Sequence, residues 1–170
     1  MLQERFGEKI IVGEEISTVE GDLIGLFLKE TIPSNLTTLQ VVKEVHAQGG
    51  LVYIPHPFET LRKGLQQEVL ETIREEIDIV EVYNGRALFR GKPFLTEAFA
   101  KKYQYPEAAS SDAHCYSGMG RSYSVVTQIP TQKNLKKLLQ DASLHKKNAP
   151  IITLLCPLIN KVKNKFILSL

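Results

Sequence analysis

The chain has 170 residues, of which 43% are hydrophobic and 24% are charged. Its length accommodates one domain with a buried core, and its composition excludes a disordered, collagen-like or low-complexity protein. The formal net charge of +2 is small. We therefore expect no stable binding of nucleic acid, which requires concentrated positive charge.

The sequence favours a cytoplasmic protein without a membrane span. Residues 1–9 mix Gln, Glu, Arg and Lys and lack the apolar core of a signal peptide. The longest apolar stretch, residues 151–159, is interrupted by Thr153 and Pro157 and is too short to cross a bilayer. The two cysteines, Cys115 and Cys156, are far apart in sequence, which does not indicate a disulfide framework.

Positive charge is concentrated near the C-terminus. Five lysines and no acidic residue follow His145: Lys146, Lys147, Lys161, Lys163 and Lys165. This pattern is typical either of a solvated terminal helix or of a segment that contacts an anionic surface. We divide the chain into a domain over residues 1–148 and a basic, partly apolar tail over residues 149–170. We expect that tail to be peripheral to any active site.

Short apolar runs alternate with helical patterns along the chain. Strand patterns occur at residues 10–12, 23–28, 51–54, 79–83, 108–111 and 122–129. Helical patterns occur at residues 37–48, 65–77, 93–103 and 131–142. Thr37 or Thr38 is a candidate cap for the first of these helices, and Gly49-Gly50 would end it. The alternation predicts an α/β fold with parallel strands and crossover helices, either as a doubly wound sheet or as a barrel.

Polar side chains with metal-ligand chemistry follow the predicted strands. Glu15, His56, Asn84, Asp112 and His114 each lie at or just beyond the C-terminal end of an apolar run. In parallel α/β folds this edge of the sheet collects the active site. Each residue also has a structural interpretation, as a turn residue, a helix cap or an ion-pair partner. Together, the carboxylates and imidazoles predict a site for zinc, manganese or iron. Cys115 adjoins this site and is interpreted as a small apolar filler.

Four segments resemble the motifs of the PHP (polymerase and histidinol phosphatase) superfamily. The sequence GEEIST at residues 13–18 is similar to its G-x-E motif, and GGLVYIPHPF at residues 49–58 to its histidine-proline strand. The sequence VEVYNGR at residues 80–86 resembles its EV-[YF]-N strand, and SSDAH at residues 110–114 its closing S-D-x-H motif. Their order and spacing agree with the family over residues 10–128.

The resemblance implies a distorted, TIM-like (β/α)7 barrel that hydrolyses phosphate esters with divalent metals. By motif match, the metal ligands would be Glu15, His56, Asp112 and His114, with manganese, zinc or iron as the ion and magnesium possible. Glu15 is a candidate bridging carboxylate, and His114 is an alternative proton donor to the leaving group. The candidates for holding a small phosphorylated substrate or nucleotide are Asn84, Arg86, Arg90 and Arg121.

Two departures from the family pattern affect the expected activity. The family's opening H-x-H motif is not found in this sequence, so we expect an N-terminally incomplete domain with weak catalysis and a tendency to self-associate. Gly21-Asp22 stands where the family often has Gly-His, which shifts metal preference toward harder ions. The alternatives are a catalytically impaired remnant that acts as a binding or regulatory module and, with less support, a polymerase-associated proofreading domain.

Overall fold

A computed structural model describes residues 2–87 and 91–167, with side chains described as far as Lys161. The strands are β1 (Gly13–Ser17), β2 (Asp22–Leu26), β3 (Leu51–Ile54), β4 (Ile79–Asn84), β5 (Glu107–Ser110), β6 (Tyr123–Val125) and β7 (Ser143–His145). The α-helices are α1 (Leu2–Phe6), α2 (Thr38–Ala47), α3 (Gln67–Thr72), α4 (Pro93–Tyr103), α5 (Leu135–Gln140) and α6 (Cys156–Ile167). None of these helices has the length and hydrophobicity needed to cross a membrane.

The main sheet has five strands in the order β1-β2-β3-β4-β5, and β6 pairs with β7 in a second sheet. Strands β3, β4 and β5 are parallel, as the alternating pattern predicts. Strands β1 and β2 form an antiparallel hairpin, and β2 pairs antiparallel with β3. The fold is therefore mixed α/β. Within residues 2–87 and 91–167 the strands form open sheets and not a closed barrel, so the predicted TIM-like closure is not seen.

The central strands have apolar sequences because both of their faces are covered. All four residues of β3 are buried. The largest cluster of the core packs against the sheet with α2, α3 and α4; its fully buried members include Leu23, Val41, Val45, Ile54, Leu70 and Val80. This packing holds the ends of β3, β4 and β5 in fixed relative positions.

Several predicted boundaries hold and others do not. Helix α2 begins with a capping box in which Thr37 and Gln40 satisfy each other's backbone N–H groups, and Gly49 follows it with a φ of 74°. The prediction of a first strand at residues 10–12 is wrong, since β1 begins at Gly13. Helices α3 and α5 and strand β6 are shorter than their patterns suggested. His145 lies in β7, where its ring stacks on Tyr123.

Candidate metal centre

The three parallel strands bring polar residues to one edge of the sheet. Asn84 is the last residue of β4, while His56 and Asp112 each follow two residues after β3 and β5 end. The Asn84 side-chain amide donates a hydrogen bond of 3.2 Å to Oδ2 of Asp112. The ends of these strands therefore converge, as the sequence predicts.

The backbone is in an unusual conformation at two of these residues. His56 has a φ of 32° and Asp112 a φ of 47°. Side chains other than glycine rarely adopt positive φ, and such strain persists where the surrounding structure enforces it, often at functional sites. In both cases the turn occurs directly beyond a buried strand, so the fold fixes where each side chain projects.

Glu15 reaches the site by a different route from the one predicted. It lies in the middle of β1 and not beyond the end of a strand, because the hairpin of β1 and β2 starts later than its apolar pattern suggested. Ser17 pairs with Asp22 across the hairpin, so Glu15, two residues before Ser17, shares a sheet face with Asp22. The Ser17 hydroxyl donates a 2.8 Å hydrogen bond to the Asp22 carboxylate.

Glu15, Asp22 and His56 form a group that could hold a metal ion. Each offers a ligand atom, and these atoms all lie within 4.8 Å of one another. Nε2 of His56 lies 3.3 Å from Oε1 of Glu15. The His56 side chain is only 5% exposed, whereas that of Glu15 is 53% exposed, so the group opens to solvent on the Glu15 side. Nδ1 of His56 is buried and has no hydrogen-bond partner among the described residues.

The protonation of this group fits a cation site. The hydrogen bond from His56 lowers the pKa of Glu15. Burial opposes the charged form of His56, but the hydrogen bond to Glu15 and the charges of Glu81 and Glu15 together outweigh burial and raise the pKa of His56. Burial raises the pKa of Asp22. Metal ions and protons compete for such ligand atoms, so binding of a divalent cation here would displace a proton from His56 or Glu15.

A buried carboxylate accepts hydrogen bonds from several residues of the site. Glu81, on β4, is 4% exposed and accepts hydrogen bonds from the backbone N–H of His56 at 2.8 Å and the Asn84 amide at 2.9 Å. Its other oxygen accepts from the Tyr53 hydroxyl at 3.0 Å and from Ser110. Burial raises the pKa of Glu81. This residue links the ends of β3, β4 and β5 and so fixes the backbone of His56.

The second pair of predicted ligands is not part of the group whose ligand atoms lie within 4.8 Å of one another. The Asp112 carboxylate contacts the Arg62 guanidinium and lies 3.4 Å from Nδ1 of His114. That same nitrogen donates to the carbonyl oxygen of Asp112 at 3.0 Å. The structure thus arranges the four predicted ligands as two groups, Glu15 with His56 and Asp112 with His114. Arg62 lies against the second group.

The predicted substrate-binding residues occupy different positions. Asn84 contacts Asp112, and its side-chain oxygen accepts the backbone N–H of Arg86 at 3.0 Å. The Arg86 guanidinium lies 3.9 Å from Asp112, and its Nε is buried without a hydrogen-bond partner among the described residues. Arg121 instead donates to the carbonyl oxygen of Ser117 in its own loop, at 3.2 Å. Arg90 lies outside the described residues.

The C-terminal tail is joined to the loop that carries His114. Cys115 and Cys156 form a disulfide with their Cα atoms 6.0 Å apart, so the interpretation of Cys115 as an apolar filler is wrong. The Asn160 side chain donates to the carbonyl oxygen of His114 at 2.8 Å. The tail was predicted to be peripheral, and instead it holds one side of this loop.

Sequence reasoning missed four residues of this region: Glu59, Arg62 and Glu81 entirely, and Asp22 except as a departure from a family pattern. Glu81 had a signal, because it is an acidic residue within an otherwise apolar strand. Glu59 and Arg62 had none, since they lie in an irregular segment whose position depends on the tertiary fold.

Comparison with known proteins extends the resemblance. Residues 94–142 match the family model of PHP-associated segments. An uncharacterized protein of Methanocaldococcus jannaschii, MJ0417, is 37% identical over 127 residues, which cover 72% of this chain and 54% of that protein. A second one, MJ1587, is 39% identical over 84 residues, or 49% of this chain and 47% of that protein. The chain spans about half the length of these curated relatives.

A solved structure shares the fold at low sequence identity. It is a two-domain protein from Bacteroides vulgatus that contains a predicted PHP-like metal-dependent phosphoesterase. The match has a TM-score of 0.62 and 16% identity, and covers 86% of this chain and 47% of that one. At this identity the likeness concerns the arrangement of helices and strands.

Proposed function

Because residues 94–142 match the model of PHP-associated segments and four motifs resemble those of the PHP superfamily, we propose that the chain is a metal-dependent hydrolase of phosphate esters. Its substrate would be a nucleotide or another small phosphomonoester or phosphodiester. The observation that carries this proposal is the group of Glu15, Asp22 and His56, whose ligand atoms all lie within 4.8 Å of one another. These residues come from three separate strand regions and meet where a positive φ at His56 turns the chain.

Two carboxylates and one imidazole suit manganese, zinc or iron, with magnesium possible. A divalent ion held here would supply positive charge for a phosphoryl group and a water molecule of lowered pKa. Binding of the ion would displace a proton from Glu15 or His56. Metal affinity therefore rises with pH as His56 becomes neutral. Glu81 keeps the His56 backbone in place during this exchange.

The substrate phosphate would lie on the side of Asn84 and Asp112. Arg86 is half-buried beside both residues, and its guanidinium can donate two parallel hydrogen bonds to a phosphate. Asp112 and His114 complete the predicted ligand set. Because Nδ1 of His114 is held by Asp112, Nε2 is the nitrogen that would protonate the leaving group. Arg121 would hold the loop that follows His114.

Two further properties belong to this proposal. A cytoplasmic location would keep Cys115 and Cys156 largely reduced, and their cross-link would then form only under oxidising conditions. Self-association would use strand β1, which ends the order of the five-stranded sheet, because an edge strand offers unpaired backbone groups to another chain. Sedimentation at several protein concentrations tests this second property.

The test of the proposed activity is hydrolysis of p-nitrophenyl phosphate and of a nucleotide bisphosphate by the purified chain with Mn²⁺. We expect slow turnover, since the Arg62 guanidinium already pairs with the Asp112 carboxylate. Glu15→Gln and His56→Ala should lower kcat/KM at least a hundredfold, whereas the exposed Glu44→Gln should leave it unchanged. Equal turnover in all four chains would refute the proposal. Metal binding without turnover would favour a binding or regulatory module.

A further inference from the structure

Arg62 is a cation enclosed by two carboxylates. Its Nε and Nη2 donate to the Glu59 carboxylate at 2.8 and 2.7 Å. Its Nη1 donates to Oδ2 of Asp112 and, at 3.2 Å, to Oδ1 of Asn84. The side chains of Arg62, Glu59 and Asp112 are 14%, 2% and 20% exposed. The guanidinium therefore occupies a poorly hydrated position at the end of the parallel strands.

The surroundings of Arg62 explain why a positive charge is needed there. Glu59 is almost completely buried, and a buried carboxylate without a partner is strongly destabilising. The planar guanidinium matches a carboxylate with two parallel hydrogen bonds, as it does with Glu59. Arginine side chains stay protonated in proteins, even when they are partly buried. Arg62 is thus a permanent cation.

The same guanidinium competes with any metal ion for Asp112. Its Nη1 lies against Oδ2, the oxygen that also accepts from Asn84. A divalent ion on that oxygen would face a positive charge at hydrogen-bonding distance, in a region where water screens it poorly. Among the described residues, Glu15 forms its ion pair with His56 and not with an arginine or lysine.

We propose that Arg62 is an internal counter-cation of Asp112 and limits the chain to one tightly held divalent ion. That ion binds at Glu15, Asp22 and His56. A second ion binds at Asp112 and His114 only when it displaces the guanidinium. This inference rests on the proposed function, because it concerns the order in which that metal centre fills.

The hydrogen-bond pattern provides a way for this displacement to occur. Glu59 is bound through Nε and Nη2, while Asp112 and Asn84 are bound through Nη1 alone. A small rotation of the guanidinium away from Asp112 breaks one set of contacts and keeps the pairing with Glu59. Arg62 therefore releases Asp112 without leaving Glu59 unpaired, which makes this contact the weaker restraint of the two.

The experiment measures Mn²⁺ stoichiometry and affinity by the electron paramagnetic resonance signal of free Mn²⁺. The main variant is the double substitution Glu59→Gln with Arg62→Met, which removes the cation together with the buried charge it neutralises. Arg62→Met alone is also measured, with circular dichroism to verify folding. Arg74→Met is the matched control, because Arg74 is an exposed arginine that pairs with its neighbour Glu75.

The wild-type chain and the Arg74→Met control should bind one Mn²⁺ tightly and a second at least tenfold more weakly. The double variant should bind the second ion at least tenfold more tightly than the wild type. Adding Asp112→Asn to the double variant should abolish that gain. Unchanged second-site affinity in the double variant, with one ion still bound, overturns this inference alone. Absence of Mn²⁺ binding in every chain overturns both this inference and the proposed function.

Discussion

The disulfide between Cys115 and Cys156 should stabilise the fold by an amount that depends on the length of the loop it closes. It closes a loop with a sequence separation of 41 residues. In the chain-entropy model, closing a loop of this length stabilises the folded state by about 4 kcal/mol, because the unfolded chain loses conformational freedom. For a protein of this size, such a change corresponds to about 10 °C in the midpoint of thermal unfolding.

The perturbation is Cys115→Ser together with Cys156→Ser, compared with the oxidised and the reduced wild-type chain. We expect the oxidised chain to unfold about 10 °C above both others when followed by circular dichroism. The serine variant serves as the control for the reductant, which should not change its midpoint. Chemical denaturation at 25 °C gives the corresponding free energy of unfolding.

A second readout tests the structural consequence of the cross-link. Because Cys115 follows His114 directly and Asn160 bonds the His114 carbonyl, the reduced chain should show faster amide hydrogen exchange in the loop after β5. The group of Glu15 and His56 lies on other elements and should keep its protection. If oxidised and reduced chains unfold within about 2 °C of each other, the cross-link does not constrain this fold and the reasoning is refuted.

Three further predictions concern local contacts. A Cβ atom at Gly64 would lie 2.3 Å from the carbonyl oxygen of His56, so Gly64→Ala should lower the free energy of unfolding by about 2 kcal/mol in urea and weaken Mn²⁺ binding. Burial raises the pKa of Glu20, but hydrogen bonds from Thr38, Thr18 and its own backbone together outweigh burial and lower this pKa. The Glu20 carboxylate therefore stabilises the fold above the unfolded pKa of about 4.3, and this contribution is lost as pH falls through the folded pKa. Glu20→Gln should lower the free energy of unfolding by about 0.5 kcal/mol at neutral pH and leave it unchanged in strong acid. Asp22→Ala should weaken Mn²⁺ binding at least tenfold in calorimetric titration, because it removes one of the three clustered ligands.

Each of these predictions has a matched control or a contradicting result. Gly118→Ala is the control for Gly64, since the nearest atom to its added Cβ is 3.3 Å away; equal stability loss in the two variants would contradict the steric argument. A Glu20→Gln effect of the same size in neutral and strongly acidic solution would contradict the charge argument. Asp141→Ala changes an exposed aspartate and should leave Mn²⁺ affinity intact, and an equal loss in both aspartate variants would exclude a specific role for Asp22.

The parallel part of the fold was predictable because its strands leave a clear pattern. Strands β3 and β4 are continuous apolar runs, which is the sequence of strands covered on both faces. Strand β1 was misplaced because it is a half-exposed edge strand whose sequence, Gly13–Ser17, contains two glutamates. The more β-branched residues before it match a strand pattern better, and only pairing with β2 decides between the two.

The candidate site was predictable where its residues follow strands. His56, Asn84 and Asp112 were found because parallel strands end at one edge of the sheet. Arg62 and the Cys115–Cys156 pair could not be found in this way. Their partners are 50 and 41 residues distant in sequence, and only the assembled fold brings them together. Whether the strands close into a barrel likewise depends on long-range assembly, so no single motif could establish it.

The central claim is that Glu15, Asp22 and His56 hold a divalent metal ion. The most direct test is a crystal structure of the chain grown with Zn²⁺, with anomalous diffraction recorded on both sides of the zinc absorption edge. The account predicts an anomalous peak about 2 Å from Nε2 of His56 and from the carboxylates of Glu15 and Asp22. A fully occupied peak elsewhere, with His56 still hydrogen-bonded to Glu15, would contradict it.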